Sequence, residues 1–202
     1  MLNNQALLHK LNGKYDLALG MFREVYEAYC VVHGEHHTST LNTLINLATT
    51  YRDLQENEKA VELYEKAITG RKATEGDQSV NYAMVKGMAA AAYRDLDDFE
   101  KAYAYLKESY LVIAVNHGED NLAASNVLNS MGVLYKKWGK PDRAQDAYER
   151  ALKVRTELAG EDHPDSVATR HNLAELFIEM NKPDRAKELF DLNVELMKKR
   201  EE

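Results

Sequence analysis

Histidines are the side chains of this sequence best suited to metal chemistry, and His33, His36 and His37 lie close together. Imidazole nitrogens bind divalent transition metals. A repeated pattern explains these residues better, because His117 recurs 84 residues after His33 and His163 lies in a loop equivalent to that of His36 and His37. We therefore predict neither a metal site nor a cofactor.

Motifs for covalent or phosphoryl chemistry are missing from the sequence. It contains no phosphate-binding glycine loop, no nucleophile elbow and no HExxH pair. Cys30 is the single cysteine, so an intramolecular disulfide is excluded and a reducing compartment is the simpler expectation. We predict that the protein is not an enzyme.

Cations recur at a fixed spacing of 42 residues, and this column is the most promising set of binding groups. It comprises Lys10, Arg52, Arg94 and Lys136 and ends at Ile178. A ladder of cations in a protein of net charge −7 favours an acidic, extended ligand. A second interpretation stays open, because cations in the last turn of a helix complement its dipole, and Glu56 and Asp98 offer carboxylates at i, i+4.

The same spacing governs the elements that must position these cations. Four columns keep one phase without any insertion, and an uninterrupted period of 20 to 50 residues is typical of stacked repeat proteins. The columns are Gly34, Gly76, Gly118 and Gly160; Ala18, Ala60, Ala102, Ala144 and Ala186; His9, Tyr51, Tyr93, Tyr135 and Phe177; and Phe22, Tyr64, Leu106, Tyr148 and Phe190.

Each repeat contains two helices by its apolar spacing. Leu44, Leu47, Ala48 and Tyr51 fall at i, i+3, i+4 and i+7 on a first helix, A, and a second set beginning at Ala60 marks helix B. Small residues should lie where helices approach closely: Ala6, Ala48, Ala90, Gly132 and Ala174. The A and B helices are predicted at about 1–12 and 16–32, 38–54 and 58–74, 80–96 and 100–116, 122–138 and 142–158, and 164–180 and 184–200.

The positions between and before the helices support this assignment. Gly13, Gln55, Asp97, Gly139 and Asn181 stand where helix A ends, and most of these residue types tolerate a left-handed backbone. The glycine column should cap the end of helix B. All three prolines lie at expected helix starts, where a missing N–H costs nothing: Pro141, Pro164 and Pro183.

Bulk composition narrows the class of partner. The chain has 202 residues, of which 45% are apolar and 29% charged, as in soluble globular proteins. Its negative charge argues against nucleic acid or an anionic membrane as the main partner. No run approaches the roughly 20 apolar residues that a membrane span needs. We expect a cytoplasmic protein, or one of an organelle matrix such as the mitochondrial one if a targeting segment is missing.

The small-residue, aromatic and glycine columns together resemble tetratricopeptide (TPR) repeats. The 42-residue unit, with GEDHPDS before NLAELF at Asn172–Phe177, is similar to the repeats of kinesin light chains. The resemblance implies an all-α solenoid of five antiparallel helix hairpins in a right-handed superhelix. We expect a single array, 1–202, with repeats at about 1–34, 35–76, 77–118, 119–160 and 161–202. Residues 1–202 are expected to belong to a longer protein or to have their N-terminal end covered by a partner.

In TPR proteins one face of helix A lines a groove that holds a peptide, and the resemblance carries this role to one face here. The predicted peptide-binding residues are Asn42, Thr49, Arg52, Met84, Arg94, Asn126, Asn129, Val133 and Lys136. The implied function is an interaction scaffold that binds a peptide segment of a partner protein. Two alternatives stay open, an assembly factor of a larger complex and a peptide-responsive regulator.

Overall fold

Ten helices make up the computed structural model, which describes residues 2–201 and the side chains of residues 2–199. Their bounds lie within one residue of the predicted ones, and the described residues contain no strand, so the all-α prediction is confirmed. The helices are α1 (Leu2–Leu11), α2 (Tyr15–His33), α3 (Thr38–Asp53), α4 (Asn57–Glu75), α5 (Val80–Asp95), α6 (Phe99–His117), α7 (Leu122–Lys137), α8 (Pro141–Ala159), α9 (Pro164–Glu179) and α10 (Pro183–Glu201).

Helix A ends in the same way in every repeat, with one left-handed residue. Gln55, Asp97 and Asn181 have φ of 62°, 61° and 57°, although each carries a side chain. The next residue closes the turn, since the Glu56 N–H donates to the carbonyl of Tyr51 at 2.9 Å. This turn aligns helix B antiparallel to helix A, and the left-handed backbone predicted for the column is confirmed.

Helix A begins with a side-chain cap, and this explains two of the histidines. The Nδ1 atoms of His37 and His163 each accept a hydrogen bond from the backbone N–H two residues later, at 3.2 Å. Ser79 and Asn121 cap α5 and α7 at the equivalent position. Since the N-cap must accept a hydrogen bond from a free backbone N–H, the column holds His, Ser, Asn and His for one structural purpose.

Contacts divide the chain into two compact units, one ending at Val112 and the other beginning at Ile113. In the first unit α3 packs against α2 and α4, and α5 packs against α4 and α3. In the second unit α9 packs against α8 and α10 and also contacts α7. Each unit therefore shows the stacking of successive hairpins, and a single array over the whole chain stays a prediction.

The core of each unit is built from the predicted small and large columns. Ala60, Ala102 and Ala144 on the B helices are completely buried, and Tyr64 and Tyr148 are at most 1% exposed. The small column on helix A makes room for these rings. At Gly132 an added Cβ would lie 2.5 Å from two ring atoms of Tyr148. The ring of Tyr148 therefore occupies the space that a side chain at position 132 would need.

Gly132→Ala should therefore destabilise the protein although alanine favours helix. Overpacking costs about 1 to 3 kcal/mol, and the gain in helix propensity offsets roughly 0.5 to 1 kcal/mol of it. We expect the free energy of unfolding in urea to fall by about 1 kcal/mol. Gly20→Ala is the control, because Gly20 lies exposed in α2 with nothing near the added Cβ. That change should raise stability, and equal signs for the two variants would contradict the packing at Tyr148.

Candidate peptide-binding face

In the first unit, α3 carries three of the predicted binding residues on one face. Asn42 is exposed, and its Oδ1 accepts a hydrogen bond from Nη2 of Arg71 on α4 at 2.5 Å. Thr49 lies two helical turns further along α3. Its hydroxyl donates a hydrogen bond to the Ile45 carbonyl at 2.8 Å and is hydrogen-bonded to the Tyr64 hydroxyl at 2.9 Å. The oxygen of Asn42 is thus held in place, while the hydroxyl of Thr49 is already used inside the hairpin.

The equivalent face of α5 is more apolar. Met84 is 47% exposed and is available to a ligand. Arg94, near the end of the helix, donates from Nε and Nη2 to Oδ1 of Asp95 at 2.9 and 2.7 Å. Because α5 contacts α3, Met84 and Arg94 belong to the same surface of the first unit as Asn42.

In the second unit, Asn126 on α7 repeats the arrangement of Asn42. It is exposed, and its Oδ1 accepts from Nη2 of Arg155 at 2.5 Å. Arg155 is 5% exposed and also donates to the Asp165 carbonyl at 2.8 Å and to the Thr169 hydroxyl. Burial lowers the pKa of Arg155, and the nearby Asp165 opposes this shift. The buried guanidinium of Arg155 therefore holds the side-chain oxygen of Asn126 in place.

The remaining predicted residues of α7 lie beside Asn126. Asn129 is half-buried, and its Oδ1 faces Nδ2 of Asn172 on α9 at 3.4 Å; Val133 is also half-buried. Lys136 is 3.1 Å from carboxylate oxygens of both Glu175 and Glu179. Burial would lower the pKa of Lys136, but its hydrogen bonds to the two glutamates outweigh burial and raise that pKa. Those contacts join α7 to α9.

Every cation of the predicted column has an internal carboxylate partner. Lys10 reaches Asp53 at 3.1 Å, Arg52 reaches Asp53 at 3.6 Å, and Arg94 and Lys136 pair as described. The pairs of Arg52 and Arg94 are with the next residue rather than with Glu56 or Asp98 at i, i+4. An acidic ligand would have to compete with these carboxylates, so the column is weaker as an anion site than its spacing suggests.

Two features of these hairpins escaped the sequence analysis. The first is the pair of buried arginines, Arg71 and Arg155, which recur together with Asn42 and Asn126 at a spacing of 84 residues. The second is a cation–π contact at the end of each helix A that ends in an aromatic residue. The cation lies over the aromatic ring and comes eight residues after the aromatic residue in the sequence. The pairs are Lys59 with Tyr51 at 5.3 Å, Lys101 with Tyr93 at 4.2 Å, Arg143 with Tyr135 at 5.8 Å and Arg185 with Phe177 at 4.1 Å. Both spacings are visible in the sequence once the packing is known.

Other kinds of site were sought among residues 2–201. The rings of His33 and His37 stack with centroids 4.6 Å apart, and Nδ1 of His37 is engaged as a helix cap. Within the described part of the chain, no group of three or more His, Cys, Asp or Glu is placed to hold a metal ion. Nor does any described helix have the length and apolar character required to cross a membrane.

Solved structures with the same fold include kinesin light chain-like proteins. BtubC (BKLC) from P. vanneervenii has a TM-score of 0.81 and 26% identity, with 97% of this chain and 78% of that chain covered. A kinesin light chain-like structure from Podospora anserina with nearly identical TPR-like repeats has a TM-score of 0.78 and 18% identity, with 98% of this chain and 94% of that chain covered. A Rap protein complexed with Competence and Sporulation Factor has a TM-score of 0.82 and 15% identity, with 96% and 52% covered.

Family comparison agrees with the structures. No curated protein sequence matches the chain significantly. The model of the tetratricopeptide repeat matches residues 1–73, 81–157 and 142–199, which together span most of the sequence. The hairpins, their 42-residue period and this match have one explanation: the chain belongs to the tetratricopeptide repeat family.

Proposed function

We propose that this protein is an interaction scaffold whose helix-A faces bind an extended segment of a partner protein. The observation that carries the proposal is the pair of exposed asparagines, Asn42 and Asn126, each with its Oδ1 held by a buried arginine. With the oxygen fixed, the Nδ2 group is the free end of each amide and is oriented to donate to a ligand. A peptide backbone in extended form offers carbonyl acceptors for such donors.

The remaining predicted residues supply secondary contacts in this proposal. Met84 and Val133 offer apolar surface to ligand side chains. Arg52, Arg94 and Lys136 favour carboxylates on the ligand, but each such contact is worth only about 0.2 to 1 kcal/mol because the groups are partly exposed and already paired. The amides therefore determine that a segment binds, and the cations adjust which segment binds.

A general role in protein interaction is consistent with the fold, since TPR arrays present extended binding surfaces. The Rap protein of similar fold was solved with another molecule, Competence and Sporulation Factor, bound to it. A peptide-responsive regulator is the second candidate for this chain for that reason. It differs from a scaffold in one measurable property, a large change in shape when the peptide binds.

The proposal is tested by removing the amide donors while retaining their oxygens. Asn42→Asp and Asn126→Asp keep an acceptor for Arg71 and Arg155, so the hairpins should stay folded. We expect the double variant to bind labelled 12-residue acidic peptides about ten-fold or more weakly, by fluorescence anisotropy, because the helix-A face of each unit has lost its amide donor. Far-ultraviolet circular dichroism should be unchanged. Binding equal to that of the wild type would place the ligand elsewhere.

Two controls separate lost donation from added negative charge. Asn4→Asp with Asn12→Asp adds the same charge at exposed positions of the first hairpin and should change affinity by less than about two-fold. In 0.5 M salt, electrostatic repulsion is largely screened over about 4 to 5 Å, whereas a missing hydrogen bond stays missing. A loss of affinity that vanishes in high salt would mean that Asn42 and Asn126 matter only through charge.

A further inference from the structure

A cavity of about 540 Å³ lies between the B helices of the first two hairpins. Tyr26 lines it from α2, Thr69 lines it from α4, and the buried side chain of Leu44 on α3 forms its floor. Leu44 is two residues from Asn42, which corresponds to about 200° around the helix. The cavity therefore opens on the side of α3 that faces away from the asparagine face.

Carboxylates outnumber cations at the rim of this cavity. Glu35, Glu62 and Glu65 line it, and Lys66 is the only lysine or arginine among its described lining residues. Lys66 pairs with Glu62 at 2.7 Å, and Lys101 of α6 lies 3.7 Å from Glu65. Glu35 forms no ion pair in the described part of the chain. The rim thus has an excess of negative charge, with Glu35 as its unpaired carboxylate.

The wall formed by Tyr26 is uncharged. Burial raises the pKa of Tyr26 to about 12, with further contributions from a hydrogen bond to Cys30 and from the charge of Glu35. The phenol therefore keeps its proton, and its ring adds apolar surface to that of Leu44. An apolar interior under an acidic rim matches a side chain with an aliphatic stem and a cationic tip, as in lysine and arginine.

The next repeat has its own cation at the equivalent place. Leu44 is replaced 42 residues later by Lys86, which is 8% exposed and forms an ion pair with Glu108. The Nζ atom of Lys86 lies 5.1 and 4.6 Å from the ring centroids of Tyr82 and Tyr105. Burial would lower the pKa of Lys86, but its hydrogen bonds to Glu108 and Tyr82 outweigh burial and raise that pKa. A charged lysine is thus stably held at this position of the repeat.

A further member of the same column is also a buried cation. Arg170 stands three repeats after Leu44 and is 2% exposed. Its guanidinium donates to the Glu161 carbonyl at 3.3 Å and to Oδ1 of Asn193 at 2.7 Å. Glu161 is the residue equivalent to Glu35, so the loop that receives Arg170 corresponds to the loop at the rim of the cavity. In the second repeat this loop and the acidic rim are present, while the column holds a leucine.

We infer that this cavity binds an arginine or lysine side chain from a basic segment of a partner protein. The aliphatic stem lies on Leu44 and Tyr26, and the charged head pairs with Glu35 and Glu62 at the rim. The cavity volume lies within the usual range of small-ligand sites, roughly 300 to 1,000 Å³, so it accommodates one such side chain with its neighbouring backbone. The site does not depend on the asparagine face, so either can fail without the other.

The first test titrates N-acetylarginine amide, a minimal probe, into the isotope-labelled protein and follows the backbone amides by NMR. We expect saturable shifts at His36 and Thr69, which line the cavity. The citrulline counterpart has nearly the same shape without the charge, and it should bind about five-fold more weakly because the ion pairs are lost. Equal binding of the two probes, or no saturable shift at the cavity, overturns the inference.

Carboxylate variants distinguish the cavity from the general negative charge of the protein. Glu35→Gln with Glu62→Gln should weaken binding of N-acetylarginine amide about five-fold, because both pairing groups are removed. Glu24→Gln with Glu58→Gln is the matched control, since it makes the same change in net charge at exposed positions of α2 and α4 outside the lining. The control pair should change affinity by less than about two-fold. Equal losses for the two pairs would contradict a site at the cavity.

A peptide then tests the class of partner. A labelled 12-residue peptide of alternating arginine and serine should bind the intact chain by fluorescence anisotropy, and N-acetylarginine amide should displace it. Thr69→Trp places an indole at the cavity and should weaken peptide binding about ten-fold by steric exclusion. Thr74→Trp, at an exposed threonine of α4 outside the lining, should leave it unchanged. Peptide binding that Thr69→Trp does not weaken would overturn the assignment of a basic segment to this cavity.

Discussion

Replacing Ala60, Ala102 or Ala144 by leucine should lower the free energy of unfolding by about 1 to 3 kcal/mol in each case. All three alanines are completely buried on the B helices. Leucine adds three heavy atoms where the helices touch, and a close-packed interior accommodates such a volume only by moving a helix. Urea unfolding followed by circular dichroism measures the loss.

Exposed alanines of the same helices provide matched controls for this prediction. Ala73 lies exposed in α4 with Ala60, and Ala104 lies exposed in α6 only two residues from Ala102. Leucine at Ala73 or Ala104 should change stability by no more than about 0.5 kcal/mol. If all of the buried and exposed variants melt like the wild type, the face assigned to the interior is wrong.

The sequence was sufficient to predict the helices because the relevant signals are local and repeated. A left-handed residue must follow each helix A, and Gln55, Asp97 and Asn181 stand in register with Gly13 and Gly139. Repetition turned a weak preference at one position into a consistent pattern at five. Helix bounds were therefore predicted to within one residue.

Side-chain partners were harder to predict because they depend on which residues of two helices meet. The spacing of Arg52 and Arg94 was compatible with carboxylates at i, i+4, yet both pair with the adjacent aspartate. Lys136 pairs with Glu175 and Glu179 of the following helix A, which a single-helix argument does not consider. Long, flexible side chains choose among several nearby charges, so spacing on one helix is a weak guide.

Asn42 and Asn126 also have side-chain partners on a neighbouring helix that the sequence did not predict. The sequence placed them on the predicted peptide-binding face of helix A. The structure adds that their oxygens are held by Arg71 and Arg155, which lie on the next helix and are at most 5% exposed. In the third repeat the equivalent pair is apolar, Met84 and Ile113, and in the fifth it is Ala168 and Met197. The asparagine and the arginine therefore either occur together in a repeat or are both replaced.

Arg155→Met tests the pair that Arg155 forms with Asn126, and it should lower the free energy of unfolding by about 1 to 3 kcal/mol. The change removes donors from the Asp165 carbonyl, the Thr169 hydroxyl and the Asn126 side chain, which join α8 to α7 and α9. Arg150→Met on the exposed side of α8 is the control, and it should cost less than about 0.5 kcal/mol.

A double-mutant cycle then decides whether Arg155 and Asn126 act together. Asn126→Ala alone leaves one guanidinium N–H of a buried arginine without its acceptor, so it should be destabilising by about 1 kcal/mol or more. In the Arg155→Met background that partner is already gone, and the same change recreates the Ala168–Met197 pair of the last repeat. We expect Asn126→Ala to cost almost nothing there, with a coupling energy of about 0.5 to 3 kcal/mol. Additive losses would mean that the two residues contribute separately and that the orientation of the Asn126 amide does not depend on Arg155.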